Sequence, residues 1–419
     1  MGDRYRGTWA VAALALALFA APALGAEYRL ESRTLLQAFE RDTLERRDAA
    51  VVPAYQYLQL ELREKRQPEL SFHLYGWGRI DLADNGYFDD QTGGELIHAY
   101  LRYLRRDGRL DLRLGRFYVF EGVANEGVDG VSARFPLRPD LSLSLYGGLP
   151  VSLAEDAGRS GDRIVGGRLA WQPAPGRQLG LSYKRLASHG DRDEERAGFD
   201  LAWPLPAGLT LLGTSVRDLV NDRWGEHLYE LRVAAGPFQL RPFYQYYDYR
   251  GFLSQRDSSS PPFRFLATLD NAANIVGTEA YWFPDAQLEI GMRAKYYDYR
   301  MRFDEATYLA GLFTWKWQIF NQFGGEIGRM AGDWDRNRYW LGRGFVYLQM
   351  ARNFVSADLV YVRYDRPIFH EDHSLYLSMG GGRRFLDDRL RLKLAVAYSS
   401  DPVFDNDYRC TVIGEYLFP

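Results

Sequence analysis

Residues 389–398 read RLRLKLAVAY, and that pattern restricts the chain more than any other feature. In an extended chain successive side chains point to opposite faces, so Leu390, Leu392, Leu394, Val396 and Tyr398 share one side. Arg389, Arg391, Lys393, Ala395 and Ala397 share the other. QLEIGMRAKYY repeats the arrangement, with Leu288, Ile290, Met292 and Ala294 opposed to Glu289, Gly291, Arg293 and Lys295. RLDLRL sets Leu110, Leu112 and Leu114 against Asp111 and Arg113, and similar stretches surround Arg241 and Lys184. A strand with one apolar and one charged face has a dry side and a wet side.

Segments of this kind run from about Leu70 to the end of the 419-residue chain, and none between them has the length and pattern of an ordinary helix. Short turns separate them at RDG (106–108), RPD (138–140), PAPG (173–176), PLPAG (204–208), AGP (235–237), FPDA (283–286), ARN (351–353) and LDD (386–388). Longer polar loops fall between these turns: 83–95, 153–162, ASHGDRDEER at 187–196, and the longest at 251–271. Alternating short turns and long loops predict an all-β, single antiparallel up-and-down barrel that crosses a membrane, with turns at one end and loops at the other. The count comes to about 20 strands, within a range of 18–22, over residues 70–419.

The start of the chain reads differently. MGDRYRGTWAVAALALALFAAPALGAEY has Arg4 and Arg6, an apolar centre over 10–21 and small residues before a cleavage point after Gly25 or Ala26. This predicts a signal peptide over 1–25 and export. In LESRTLLQAFERDTLERRD, Leu35, Leu36, Phe39 and Leu44 fall at helical spacing, which predicts a short amphipathic helix over 32–47. AYQYLQLELREKR alternates, but one further strand would spoil the even count, so 26–69 is expected outside the wall as a periplasmic or lumenal segment.

YYDYR occurs at 246–250 and at 296–300, and YVRYDRP follows at 361–367. All three close strands that rise toward long loops. Tyr246, Tyr247, Tyr249, Tyr296, Tyr297, Tyr299, Tyr361 and Tyr364 are therefore expected to form an aromatic girdle, rings in lipid and hydroxyls among headgroups.

With these features the chain resembles the porin-like outer-membrane β-barrels of Gram-negative bacteria. The most specific element is the last segment, YRCTVIGEYLF, whose Tyr408, Cys410, Val412, Gly414, Tyr416 and Phe418 share a face ending in an aromatic residue. By that resemblance Tyr416 and Phe418 belong to the signal that the barrel-assembly machinery reads, although Pro419 follows where the phenylalanine is normally terminal. The stretch from Tyr55 to Asp84 is also similar to the start of a set of porin-like proteins, some of which sheathe multihaem cytochromes in electron conduits. The resemblance implies residence in the outer membrane, in contact with its lipid. It also implies passive diffusion of small hydrophilic solutes or ions, or alternatively a structural sheath around such a cytochrome.

The charged face would line the lumen, through Asp111, Arg113, Arg168, Asp200, Glu230, Arg241, Glu289, Arg293, Lys295, Asp358, Arg389, Arg391 and Lys393. This set leans basic and would favour anions weakly. HEDH at 370–373 has metal-ligand residue types, but it is expected in a solvated loop, its two imidazoles facing opposite ways in extended chain. DNGYFDD (84–90) lacks the full calcium-loop pattern. No nucleophile motif, phosphate loop or dinucleotide fingerprint is present, and no signature ties His73, His98 or His227 to a serine. The reading is therefore not an enzyme and without a cofactor. A near-neutral charge of −3 gives no basis for nucleic-acid binding. A lone Cys410 allows no internal disulfide, and no CxxCH is present to attach haem.

Overall fold

The computed structural model describes residues 26–41, 49–83, 86–151, 162–188, 191–248, 272–300, 304–318, 320–403 and 406–418. The expected signal peptide, residue Tyr249 and the long loop at 251–271 lie outside these. Among the described residues, 22 antiparallel strands form one closed up-and-down barrel. Twenty of them run from Leu70–Asp81 to Asp407–Leu417, matching the expected wall. The other two come from the segment expected outside it. They are Ala26–Arg41 and an adjoining strand made of Ala49–Val51 and Pro53–Glu64.

Ala26–Arg41 is the closing strand. One edge pairs with the last strand, from Glu31↔Leu417 to Phe39↔Arg409, and the other pairs with Pro53–Glu64 from Ala26↔Glu64 to Leu36↔Ala54. The helix expected over 32–47 is thus corrected for its described part, and the 26–69 segment contributes two strands to the wall. Leu35, Leu36 and Phe39 satisfy helical spacing, but the same chain alternates Arg29, Glu31 and Arg33 with Leu30, Ser32 and Thr34. Two flanking strands with unpaired edges decide between these readings. In a bilayer every backbone group left without a partner costs several kcal/mol, and a strand here satisfies both edges at once. Parity also survives, because the segment adds a pair of strands rather than one.

The short turns fall at one end, as the sequence indicates. Asp107–Gly108 sits between Thr92–Leu104 and Asp111–Glu121, and Ala351 and Asp387 take the positive φ values (49° and 52°) that such turns use. At the other end two expected loops are much shorter. ASHGDRDEER belongs mostly to the paired strands Arg177–Ser188 and Asp191–Pro204. The supposed long loop at HEDH is a two-residue turn, Phe369 and His370 at φ 50° and 77°, between Asn353–Ile368 and Glu371–Phe385. Charged residues there read as loop, but their cross-strand partners lie within reach of extended chain.

The exposed large apolar residues alternate along the strands. Leu114, Val165, Leu181, Val276, Met292, Leu309, Ile327, Leu359, Met379, Leu394 and Val412 fall on one face, which is the exterior that meets lipid. The opposite face carries most of the ion pairs and encloses the lumen.

If Ala26–Arg41 closes the wall, removing residues 26–41 will leave a barrel that does not seal. The shortened protein is expected to lose heat-modifiable migration on gels, whereas a periplasmic or lumenal segment outside the wall would be removed without loss of assembly.

Candidate functional site: the charged lumen and its inward hairpin

The inner face is a lattice of ion pairs across neighbouring strands. Arg102 reaches Asp111 at 2.8 Å, Arg293 reaches Glu279 at 2.7 Å and Glu326 at 3.1 Å, and Lys316 reaches Glu289 at 3.0 Å. Arg168 pairs with Asp200, Arg343 with Asp358 at 2.5 Å, and Lys393 with Glu415 at 3.1 Å. Register explains these contacts: Glu279 lies directly opposite Arg293 and Asp200 opposite Gly180, so partners share a face. Of the expected lumen residues, Asp111, Arg113, Arg168, Asp200, Glu230, Arg241, Glu289, Arg293, Lys295, Asp358, Arg391 and Lys393 lie on this face by register. Arg389 does not belong to a strand; it sits in the turn that precedes Leu390–Ser400, its N–H donating to the Leu386 carbonyl at 3.2 Å. Among the described residues Arg391 has no ion pair, and Lys295 stands over the Phe243 ring at 5.6 Å.

One hairpin leaves the wall. Asp111–Glu121 pairs with Thr92–Leu104 only from Leu104↔Asp111 to Ala99↔Arg116. Above that level it stays paired with Ala124–Arg138, which itself stays paired with Leu141–Val151 as far as Gly127↔Val151, and the tip beyond turns inward. Gly115 makes the bend. Its φ of +124° is open to glycine alone, and a Cβ there would collide with the Ala99 carbonyl oxygen. The tip, Gly122 and Val123, lies against the inner faces of strands four and five places away. Val123 donates its N–H to Ser182 Oγ at 3.1 Å, and a Cβ on Gly122 would strike the same serine side chain.

Both faces of the hairpin have a role. Phe117, Val119 and Val128 pack on Tyr146 and Ile164 of the wall as a buried apolar cluster. The opposite face leaves Phe120 79% exposed, next to the Tyr118–Asn125 hydrogen bond. The latch is ionic. Lys184, with no exposed surface, bridges Glu126 of the hairpin at 2.7 Å and Glu194 of the wall at 2.5 Å, and Arg196 holds Glu194 at 2.8 Å. A lysine removed from water in this way is tolerable only with both carboxylates in place. The sequence pattern marks Lys184 as a wet-face residue but carries no signal for the hairpin, since its strands alternate like all the others.

The tyrosine repeats divide between the two faces. Tyr246, Tyr296 and Tyr361 point outward and fit a girdle, with Tyr296 and Tyr361 both 41% exposed. Tyr247, Tyr297 and Tyr299 point inward and pack around Ala306, Tyr308 and Met330, while Tyr364 packs with Val362 and Ile368. This corrects the expectation of a common girdle. Adjacent tyrosines in YYDYR cannot share a face of a strand. At the C-terminus the Tyr416 and Phe418 rings meet edge to face at 4.6 Å on the exterior.

The histidines bring together contacts that the sequence does not announce. Ser215 Oγ lies 2.9 Å from His227 Nδ1 and 2.5 Å from the Tyr229 hydroxyl, and Ser71 Oγ lies 2.9 Å from His73 Nε2. Among the described residues no carboxylate hydrogen-bonds either imidazole, so neither pair has the orienting third member of a nucleophilic triad. His373 is held by Asp372 at 2.7 Å, and no group of three or more metal-ligating side chains converges among the described residues. The part of DNGYFDD within them places Phe88 under the Arg79 guanidinium at 3.6 Å.

No protein-family model matches the sequence, and no curated protein matches it. Among solved structures, the barrel is similar to a BenF-like porin from Pseudomonas fluorescens Pf-5, at 13% identity over 94% of this chain and 98% of that one, with a TM-score of 0.47. It is also similar to the P pilus usher PapC translocation pore, at 9% identity, coverages of 94% and 99%, and a TM-score of 0.46. A third is OccK8 (OprE) of Pseudomonas aeruginosa, at 11% identity, coverages of 94% and 98%, and a TM-score of 0.43. At these values the likeness does not extend to function. A closed barrel, apolar outside and charged inside, defines the class by its own geometry: this chain is an integral β-barrel that crosses a membrane with its strands.

The division of the repeats is testable. Tyr299→Ala, at a site 6% exposed, is expected to destabilise the barrel by about 3 kcal/mol or more. Tyr296→Ala on the lipid face should cost about 1 kcal/mol. Urea titration of the protein refolded in vesicles reads both.

Proposed function

We propose that the protein is a passive channel for small hydrophilic solutes, narrowed by the inward hairpin. The observation that carries this reading is the hairpin itself. A barrel of this strand number is too wide for wall side chains to fill, and the wet face, rich in paired charges, needs water. The hairpin divides that space without any need for a second protein. It leaves Phe120 and the Tyr118–Asn125 pair as part of the boundary that a solute passes. Paired charges along the wall offer hydrogen bonds at each level while keeping the net field low, so selectivity falls to the few cations without an ion pair among the described residues. Arg391 and Lys295 are the clearest of these, and they give the lumen a weak preference for anions.

The alternative, a sheath around a multihaem cytochrome, draws no support from a specific contact. The hairpin occupies space that an inserted partner would need.

Purified protein in planar bilayers is expected to conduct ions at all voltages without an energy source, and haem should not co-purify. Stable insertion with electrical silence would refute the channel. Lys184→Met removes the latch and leaves Glu126 and Glu194 facing each other, a loss of about 3–5 kcal/mol to the hairpin contact. The variant should show larger or noisier openings than the parent. Arg391→Glu with Lys393→Glu should move the reversal potential toward cations in a salt gradient, while Arg389→Glu, outside the strands, should move it less.

A further inference from the structure

Three consecutive strands, Pro53–Glu64, Leu70–Asp81 and Thr92–Leu104, carry a run of rings that takes no part in the ion-pair lattice and touches the hairpin's buried cluster at Tyr100. Ring centroids follow one another at 5.9 Å from Trp77 to Tyr55, 6.3 Å to Tyr57 and 6.4 Å to Tyr75. The run continues at 5.6 Å to His98, 5.5 Å to Tyr100 and 4.9 Å to His73. Register puts all of them on the charged inner face: Tyr57 opposite Trp77, Glu61 opposite His73, and His73 opposite Tyr100. From the level of Tyr55 to that of His73 is six residues of strand, or about 20 Å. With strands tilted by about 35–45° this spans about 15 Å of height, more than half of the apolar band of such a barrel, about 25 Å.

These rings differ from the packing tyrosines of the same barrel. Tyr299 and Tyr364 are buried at 6% and 4% exposure, whereas every ring of the run keeps part of its surface open to the lumen. The charges around the run are largely cancelled. Arg102 pairs with Asp111 at 2.8 Å, Arg63 with Glu61 at 3.0 Å, and Arg33 lies 3.8 Å from Glu415. One cation stands apart: Arg79, directly opposite Tyr55, has no ion pair among the described residues and rests on the Phe88 ring at 3.6 Å and the Asp90 carbonyl at 3.1 Å. An aromatic carboxylate would therefore meet an unpaired cation at that one end of the run and only paired ones along the rest. Phenol and imidazole each both donate and accept hydrogen bonds, and their π faces attract polarised C–H groups. The matching solute is neutral, has flat C–H faces with hydroxyl edges, and is long enough to touch several rings at once.

We propose that this run of rings is a binding track for a linear neutral oligosaccharide, which moves along it from ring to ring. The proposal rests on the channel reading for its role in transport, but not for binding.

The test applies maltohexaose, cellohexaose and xylohexaose in turn to the full chain in planar bilayers. At least one is expected to interrupt the ion current reversibly. Replacing Tyr57 and Tyr75 together by leucine should raise the half-blocking concentration about tenfold or more without lowering open conductance. The Tyr57→Phe, Tyr75→Phe pair, which retains the rings, should stay within about threefold of the parent. Heat-modifiable migration confirms that each variant is assembled. Ready conductance with no block by any of the sugars overturns the proposal. So does block that the leucine pair leaves unchanged, or block by sodium benzoate alone. If the barrel conducts no ions, the channel reading fails separately. Quenching of fluorescence by sugar in detergent, lost in Trp77→Phe, then supports the track, and absence of quenching overturns it.

Discussion

Pairing of the first strand with the last is the contact on which the rest depends. In hydrocarbon the wall cannot end in an open edge, because each unpaired N–H or C=O there would go without a partner. Ala26–Arg41 removes both free edges at once, along the last strand on one side and Pro53–Glu64 on the other. Every other feature presupposes that seal. The ion pairs need a closed inner surface, the exterior residues need a continuous contact with lipid, and the inward hairpin needs an opposite wall to rest on.

Alternation made most of this wall readable. RLRLKLAVAY and QLEIGMRAKYY separate apolar from charged residues so sharply that faces follow from spacing alone, and Arg293, Lys393 and Asp111 sit where that spacing puts them. The first strand was hidden by weak contrast. Its outward residues include Ser32 and Thr34, which bond to Gln56 across the strand pair, so its lipid face is not visibly apolar. Its Leu35, Leu36 and Phe39 then imitate a helical stripe. Parity misled for a related reason: two strands were missing together, and an even number minus two is still even.

The hairpin and the tyrosine clusters were hidden for a different reason. Gly115 looks like any strand glycine until its carbonyl neighbour Ala99 and its φ of +124° are known. Lys184 looks like a wet-face lysine until the hairpin brings Glu126 to it. Both depend on contacts between segments distant in the chain. The YYDYR repeat is instructive in a simpler way. As composition it suggests one belt, but period two sends neighbours to different surroundings, one tyrosine to lipid and the next to the buried inner clusters.

The inward bend also has a consequence for the order in which the barrel comes apart. Above Ala99 the strand Thr92–Leu104 no longer has the next strand beside it, and Arg116 supplies a side-chain donor to the Leu96 carbonyl at 3.0 Å. A guanidinium in that place is held by one ion pair, to Asp129, rather than by a cooperative ladder. Among the described residues, the seam between Leu96 and the departing hairpin is therefore the part of the wall with the least shared bonding. Local opening begins there, and its backbone amides exchange hydrogen ahead of those in the fully paired strands on the opposite side.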